Sequence, residues 1–393
     1  MRNYDVSASS SAVDGKISRL ISKITALENT AEWPRQRMEE WRRTRISEPA
    51  DLENGQAAVT WETGKNDTDK LDIFFPDEKT ADLLTLGKDL DDSLTALDFR
   101  HRLKVLKDPE NTAVVIRIKK NAVLEKPVEI RFSYGTADRT YDTHLFVILE
   151  ESAQAEIIER HEGQTGGVFV CGGTHLYAGP NAAVKRILLQ DIGGTGTFVY
   201  NSYERLDRDA SYTGFEGEFG GTTVKSRLTV DLAAEGAYAE LNGIYLSGKN
   251  QHIDVKPVQR HSSPKCGSRS FYRGSVQDNG KSVFQGIIRV AEGAEETDAY
   301  LTNKNLILND GARADSIPNL EILNNNVKCS HGSTTGRLDD DEIHYLETRG
   351  IDTAEAEHML IEAFFENSVS KIGGGAEKHI RKSIAKFIKN WKS

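Results

Sequence analysis

The stretch G-P-N-A-A-V-K-R-I-L-L at residues 179–189 joins a tight turn to a short apolar run. Glycine, proline and asparagine favour turns because they suit the backbone angles that a chain reversal needs. The run at residues 184–189 is long enough for a strand and too short for an ordinary helix. The same combination recurs from about residue 110 to 335, where helical periodicity is nearly absent. This region is therefore predicted to be a sandwich, a barrel or a solenoid of short strands.

Recurring turns favour the solenoid among these three folds. Turns of the Asn-Ala, Gly-Ala or Glu-Gly-Ala kind return at residues 235–237, 292–294 and 310–312. A solenoid repeats similar corners even when its coils differ in length, but no strict repeat can be written for this chain, so the residues alone leave sandwich and solenoid nearly even. Further strands are predicted at residues 113–118, 128–132, 144–149, 155–158, 168–170, 224–232, 282–290 and 306–308.

The two ends of the chain are predicted to be helical. Residues 1–108 form a mixed, mostly helical region, with candidate helices at residues 16–27 and 83–99. Residues 339–393 form a C-terminal helical domain, in which Asp352 and Glu355 make a variant of the capping box. One face of the helix that follows is predicted to carry Ala356, Met359, Leu360, Ala363 and Phe364.

Composition excludes several classes of protein. The chain has 393 residues, of which 38% are hydrophobic and 28% charged, as in ordinary folded domains. Its formal net charge of −10 argues against binding to nucleic acid or to an anionic membrane. No apolar run is long enough to span a bilayer, and the Ser-rich start does not resemble a signal peptide. Three widely spaced cysteines argue against a disulfide framework, so we expect a cytoplasmic protein.

Common catalytic motifs are missing from the sequence. There is no nucleotide-binding P-loop, no G-x-S-x-G nucleophile elbow and no H-E-x-x-H zinc motif. The acidic run at residues 339–342 directly precedes a helical stretch, where negative charge favours a helix N-terminus. We therefore interpret this run as a helix start rather than as a pair of catalytic acids.

Cys329 and His331 are the candidate metal ligands. They lie two residues apart in an extended segment, so on a strand both side chains project to the same face. A thiolate and an imidazole suit iron, copper or zinc, but further ligands must come from elsewhere in the fold or from another chain. A buried cysteine beside a hydrogen-bonded histidine is the alternative. A second polar group, His252, Asp254 and His261, admits the same two interpretations.

The C-terminal half resembles the SufB/SufD family of iron–sulfur cluster assembly proteins. The segments that carry the resemblance are H-I-D-V at residues 252–255, H-S-S-P-K-C-G-S-R-S-F-Y-R-G at 261–274, S-V-F-Q-G-I-I-R-V at 282–290, T-D-A-Y-L-T-N-K-N-L-I-L at 297–308 and L-E-I-L-N-N-N-V-K-C-S-H-G-S-T-T-G at 320–336. Weaker likeness runs forward through residues 95–100 and 32–37. The chain is most similar to SufD, which carries the Cys-x-His pair. It lacks the thiols that SufB-type chains have near residues 226–227 and 302–305.

The resemblance implies a mainly β protein, with a right-handed parallel β-helix at residues 109–338 between the helical regions 1–108 and 339–393. It also implies a scaffold subunit that is not an enzyme. Such a chain pairs with a SufB-type chain and binds a SufC-type ATPase of the ABC class through its C-terminal helices, with Met359, Leu360 and Phe364 as candidate contacts. The missing P-loop fits, because ATP hydrolysis then belongs to the partner. Cys329 and His331 would hold iron or a nascent iron–sulfur cluster transiently at the subunit interface, with no tightly bound cofactor.

Three alternatives stay open at this point. A merged SufB/SufD-type protein would form a homodimeric scaffold instead of a heterodimer. A β-helix enzyme acting on polysaccharide would need an acid pair and a secretion signal, and the sequence offers neither convincingly. An independent metal-binding or flavin-assisted redox protein is the third, although no dinucleotide-binding fingerprint occurs.

Overall fold

Two sheets of mostly parallel strands enclose a common interior. The computed structural model describes residues 42–46, 52–76, 101, 104–105, 107–135, 137–163 and 166–391. Among these residues, the larger sheet holds β1 (Glu53–Asn54), β3 (Leu71–Phe74), β4 (Ala113–Ile118), β6 (Arg139–Leu149), β8 (Phe169–Ala178), β10 (Thr197–Leu206), β12 (Thr223–Leu232), β14 (His252–His261), β16 (Lys281–Phe284), β17 (Ile287–Val290), β19 (Arg313–Ser316) and β20 (Asn319–Ile322). The second sheet holds β2 (Ala58–Glu62), β5 (Val128–Ser133), β7 (Gln154–Gly163), β9 (Ala183–Ile192), β11 (Ser211–Glu218), β13 (Tyr238–Ser247), β15 (Gly267–Val276), β18 (Thr297–Ile307) and β21 (Val327–Gly336).

The chain winds as a solenoid. From β4 onward, each coil gives one strand to the larger sheet and the next strand to the second sheet. Two coils give the larger sheet a strand in two pieces, β16 with β17 and β19 with β20. Strands of successive coils pair in parallel and in register, as β10 does with β12 and β11 with β13. The predicted fold class is confirmed, and the sandwich is excluded because a sandwich is built from antiparallel strands.

Left-handed backbone corners stack along one edge of the solenoid. Asn181, Asp209 and Gly236 have φ of 56°, 55° and 78°, the region that asparagine, aspartate and above all glycine tolerate. The backbone N–H of Asn181 donates to Arg208 in the next coil, and that of Asp209 donates to Glu235. The turns predicted at residues 179–182 and 235–237 are therefore confirmed, and each corner is hydrogen-bonded to its neighbour.

The interior of the solenoid is the main hydrophobic core. In β12, for example, Val224, Leu228, Val230 and Leu232 point inward and are fully buried. The outward residues of the same strand, such as Lys225 and Asp231, are also buried. Burial on both faces removes the polar–apolar alternation that normally marks a strand.

The N-terminal region differs from the mostly helical prediction where it is described. Residues 52–76 contain the three strands β1, β2 and β3, and β2 and β3 run antiparallel to β5 and β4. Short alternating segments such as A-V-T-W-E and L-D-I-F suit edge strands that extend an existing sheet. The helices predicted at residues 16–27 and 83–99 lie outside the described residues.

Three helices follow the last strand, after the short α1 (Pro109–Thr112) earlier in the chain. They are α2 (Asp340–Glu347), α3 (Thr353–Val369) and α4 (Gly374–Lys389). The Asp339 side chain accepts from the backbone of Asp341 at the start of α2, and Asp352 accepts from Glu355 at the start of α3. The acidic residues before these helices are therefore N-terminal caps, as the sequence predicts.

Helices α3 and α4 pack on the outer face of the second sheet. Ile361 and Phe365 of α3 and Ile384 of α4 are buried in one cluster with strand residues such as Ile187 and Phe215. The apolar face predicted for α3 was therefore partly wrong. Ala356 is buried as expected, but the buried stripe continues through Ile361, Phe365 and Val369, while Met359 and Ala363 are exposed.

Candidate functional site

Cys329 and His331 lie on β21, the final strand of the second sheet. In the pairing of β21 with β18, Cys329 stands opposite Ala299 and His331 opposite Leu301. Both of these partners are buried residues of the interior core. Neighbouring parallel strands in register point the same side chains to the same face, so Cys329 and His331 are directed toward the interior of the solenoid.

The last coil leaves these interior positions uncovered. Among the described residues, β21 pairs only with β18, so its other edge carries no further strand. Cys329 is half-buried and packs against the edge of the interior core, and His331 is exposed. The two candidate ligands are thus brought together on one face. They are accessible because the solenoid ends there, not because they point outward.

Burial keeps the Cys329 side chain in its thiol form. Partial burial raises its pKa above the usual cysteine value, and the charge of Asp298 adds to this effect, while a backbone hydrogen bond at Ala299 opposes it. A thiol binds metal ions only after it loses its proton. Cys329 therefore needs an arriving cation or a partner's positive charge before it can act as a ligand.

Hydrogen-bonded polar side chains continue the same inward face beyond His331. Ser333 donates to Ser316 at 2.8 Å, and Ser316 donates to the amide oxygen of Asn303 at 2.7 Å. The Asn305 amide also donates to Asn303, at 2.7 Å. Apolar residues fill most of the interior, so this network makes the last coils a polar end of the solenoid.

Met359, Leu360 and Phe364, the candidate contacts for a partner, lie on α3 and not on β21. Met359 is 43% exposed, while Leu360 and Phe364 are half-buried. The guanidinium group of Arg273 lies 5.2 Å from the centre of the Phe364 ring and donates a hydrogen bond to its carbonyl oxygen. Phe364 is therefore held in place from β15, whereas Met359 presents apolar surface to solvent.

His252, Asp254 and His261 do not come together. Asp254 faces outward, where it accepts from Lys225 at 2.9 Å and from Thr44, which also lies 2.9 Å from the His252 ring. His261 points into the interior, 2.8 Å from the Ser268 hydroxyl. His261 lies an odd number of positions after His252 and Asp254 along the strand, so it takes the opposite face. The hydrogen-bonded interpretation of these residues is the one that holds.

Two groups of polar residues were missed by the sequence analysis. The first is a set of glutamates sealed inside the solenoid, where burial above all raises the pKa of Glu204 and Glu218 to about 8. The second is His101, Asp142 and Cys171, which gather on the outer face of the larger sheet. Both groups could have been suspected from charged or polar residues at alternate positions of otherwise apolar strands. The sequence does not show which of these residues meet, because their partners lie in other coils.

None of the helices in the described ranges combines the length and the hydropathy required to cross a membrane.

Comparisons with known proteins agree on one family. Residues 132–364 match the family model for the SufBD core domain of SUF-system FeS cluster assembly. A SufBD-family iron–sulfur cluster assembly protein of Mycobacterium tuberculosis is 30% identical over 270 residues, covering 67% of each chain. The SufD protein of Escherichia coli is 30% identical over 280 residues, covering 70% of this chain and 66% of SufD. The SufB protein of Bacillus subtilis is 23% identical over 334 residues, covering 79% of this chain and 68% of SufB. On these matches, the chain belongs to the SufB/SufD family of iron–sulfur cluster assembly proteins.

Proposed function

We propose that this protein is a SufD-like scaffold subunit that pairs with a second chain through the open end of its solenoid. The single observation that carries the proposal is that Cys329 and His331 occupy interior positions of a last coil that nothing in the described residues covers. The free edge of β21 offers a row of backbone donors and acceptors, and a strand or coil of another chain satisfies them.

Apolar side chains at the same end support a protein partner. Leu323, directly after β20, is 73% exposed, and Ile322 is 37% exposed. Exposed aliphatic residues beside an unpaired strand edge are typical of a surface that is buried in a complex. The partner is a SufB-type chain in the heterodimeric form of the proposal and a second copy of this chain in the merged, homodimeric form.

Iron or a nascent iron–sulfur cluster is the cargo of the shared site. Cys329 and His331 supply one thiolate and one imidazole, and the facing chain completes the coordination. A site divided between two chains loses its ligands whenever the chains separate, so it releases its cargo more readily than four ligands on one chain. The protein itself carries out no catalytic step.

A SufC-type ATPase binds the C-terminal helices in this proposal. The exposed side of α3, with Met359, Leu360 and Phe364, provides the contact surface. The same helices are fixed to the solenoid, because Lys185 donates to the carbonyl oxygen of Ile372 at 2.6 Å and Gln277 donates to that of Phe387 at 3.1 Å. Movement of the ATPase subunits is therefore passed to the solenoid and on to its open end.

The test is cluster delivery by the reconstituted complex to an apo-ferredoxin. The double variant Cys329→Ala/His331→Ala is expected to lower the delivery rate at least about tenfold, because this chain then supplies no ligand to the shared site. It keeps its binding to the ATPase. The matched control is Lys328→Ala/Ser330→Ala, which changes the other face of the same strand and is expected to deliver normally. Delivery at the wild-type rate by the Cys329/His331 double variant would overturn the ligand role.

The polysaccharide-acting alternative has no support left. In the part of the chain that the structure describes, the carboxyl groups with raised pKa values are Glu204, Glu216 and Glu218, which are sealed in the interior, where no polymer reaches them. Sedimentation of the purified chain alone separates the two scaffold forms. A monomer that dimerises only on addition of a SufB-type chain identifies the heterodimer, and a stable homodimer identifies the merged type.

A further inference from the structure

A second group of potential metal ligands lies on the outer face of the larger sheet, many coils away from β21. Asp142 on β6 and Cys171 on β8 are direct neighbours in the parallel pairing of these strands. Tyr141 and Leu145 on β6 point into the interior core, so Asp142 and His144 point outward. Cys171 belongs to a small outer cluster with Ile46, Phe169 and Val199.

His101 completes the group from outside the sheet. Its Nδ1 atom lies 2.9 Å from Oδ1 of Asp142. One nitrogen of His101, one oxygen of Asp142 and the sulfur of Cys171 all lie within 4.8 Å of one another. Ligand atoms around a tetrahedral metal ion at about 2.0–2.3 Å are roughly 3.5 Å apart, so small side-chain rotations would close this set around an ion.

Two further histidines support His101 from behind. His101 Nε2 lies 3.2 Å from Nδ1 of His144, and His144 Nε2 lies 2.7 Å from Nδ1 of His175. The His144 and His175 rings are stacked, with their centres 4.8 Å apart. A Cβ atom at Gly173 would lie 2.5 Å from the carbonyl oxygen of Asn201 and 3.1 Å from the His144 ring, so glycine at this position leaves space for both the backbone and the ring. Metal-binding histidines are commonly held by such a contact at their other ring nitrogen.

Burial makes the group more than a surface cluster. His101 and Cys171 are 6% and 7% exposed, and only Asp142 reaches solvent to an intermediate degree. A histidine, a carboxylate and a cysteine gathered from three separate parts of the chain are not explained by sheet packing, which apolar side chains would serve better at this position. The opening at Asp142 gives an ion a way in.

We propose that His101, Asp142 and Cys171 bind a divalent transition-metal ion, zinc or iron(II), with His144 and His175 orienting the histidine ligand. The donor set of nitrogen, oxygen and sulfur is one that zinc and iron(II) both accept, whereas magnesium and calcium prefer oxygen alone. On binding, the Cys171 thiol gives its proton to solvent and the thiolate bonds to the ion. The metal keeps its oxidation state throughout. This site does not rest on the proposed role of Cys329 and His331.

Cobalt(II) titration of the full-length, metal-stripped protein tests the proposal. Cobalt(II) is a spectroscopic substitute for zinc, and a bond from cysteine sulfur to cobalt gives an intense charge-transfer absorption. The Cys329→Ala/His331→Ala variant serves as background, so that only the outer site can produce this absorption. We expect one equivalent of cobalt(II) to bind with the charge-transfer band, and zinc to displace it.

Three substitutions in that background assign the ligands. Cys171→Ser is expected to abolish the band, Asp142→Asn to weaken binding at least about tenfold, and His144→Gln to weaken it about 10- to 100-fold. Cys266→Ser is the matched control, because Cys266 is also a buried cysteine but lies elsewhere in the fold, and it keeps the band. If Cys171→Ser fails to fold, Asp142→Asn, at the partly exposed position, still decides the question. No band in the folded background protein, or a band that survives Cys171→Ser, overturns the proposal.

Discussion

Arg186 in the middle of the solenoid and His331 in its last coil occupy the same inward-facing column of the second sheet. Successive strand pairings connect them through one residue in each coil, namely Gly214, Leu241, Ser270 and Leu301. Arg186 is 1% exposed, and its guanidinium group donates to Glu159 at 2.5 Å and to Glu204 at 3.1 Å. His331 is exposed.

The comparison teaches that position in the stack, more than position in the strand, decides what an inward polar residue does. Coils on both sides enclose Arg186, and an enclosed charge must bring its counter-charges with it. His331 has a neighbouring coil on one side only among the described residues and stays in contact with solvent, so the histidine needs no internal partner. The middle of the solenoid uses polar residues for structure, and its end leaves them available for a ligand or another chain.

The largest expected effect comes from removing the enclosed charge. Arg186→Met leaves the buried Glu159 carboxylate without its cation and Glu204 without its guanidinium donor, so we expect the free energy of unfolding to fall by about 3–5 kcal/mol. His331→Ala, in the same column, is expected to change it by less than about 0.5 kcal/mol. Urea unfolding followed by circular dichroism measures both. Similar losses for the two variants would remove the distinction between enclosed and open coils.

A pH series sharpens the same contrast. Burial raises the pKa of Glu218 to about 8, and nearby Glu216 adds to this, so the folded protein holds a proton there that the unfolded chain loses above its ordinary value of 4.5. The stability from this group is therefore complete below about pH 4.5 and is lost as the pH rises toward 8, at up to roughly 1.4 kcal/mol per pH unit. Thermal unfolding between pH 5 and 9 should show this loss. Because Glu204 also has a pKa of about 8, Glu218→Gln is expected to reduce the slope by the contribution of one proton and not to remove it. An unchanged slope in that variant would contradict the assignment.

Cysteine alkylation compares an enclosed thiol with one at the open end. Cys266 is 1% exposed and burial raises its pKa to about 11, so we expect no reaction with iodoacetamide in the native protein. Half-buried Cys329 is expected to react slowly in the isolated chain and at least about tenfold more slowly once a SufB-type partner covers the last coil. Mass spectrometry of the alkylated protein gives both rates. Equal Cys329 rates with and without the partner would show that the open end is not the interface.

The smallest effect on stability is expected on the exposed side of α3. Met359→Ser removes no buried contact and should change the free energy of unfolding by less than about 0.5 kcal/mol. It should nevertheless weaken binding to a SufC-type ATPase, as measured by calorimetry. Phe365→Ala, on the buried side of the same helix, is the matched control, with an expected loss of about 3–5 kcal/mol. Unchanged ATPase affinity in Met359→Ser would exclude this face as the contact surface.

The sequence predicts the elements of the fold better than their arrangement. Turn residues such as Asn181 and Gly236 reveal the corners, and caps such as Asp352 reveal the helix starts. The choice of a solenoid came from the family resemblance, because strands buried on both faces, such as β12, lose the alternation that distinguishes strand types. A strand with one exposed face is easier to recognise from its sequence than a strand that is buried on both faces.

The candidate site was predictable only in part. The spacing of Cys329 and His331 gives their shared face, because strand geometry is local. Their exposure is not local, since it depends on β21 having a neighbouring strand on one side only within the described ranges. The same limit explains why His101, Asp142 and Cys171 were missed. Their proximity depends on the register of β6 with β8 and on the position of His101 against Asp142, and neither can be read from spacing along the chain.

The uncapped last coil also has a consequence for how the protein is made in a cell. Among the described residues, the outer edge of β21 has unpaired backbone donors and acceptors, and Leu323 is exposed nearby. Such an edge can pair with strands of other molecules, so newly made chains without a partner would aggregate. If the proposed partner pairs with this end, its presence while the chain is being made would cover these groups. Production of the chain on its own should therefore yield far less dispersed protein than co-production with its mate.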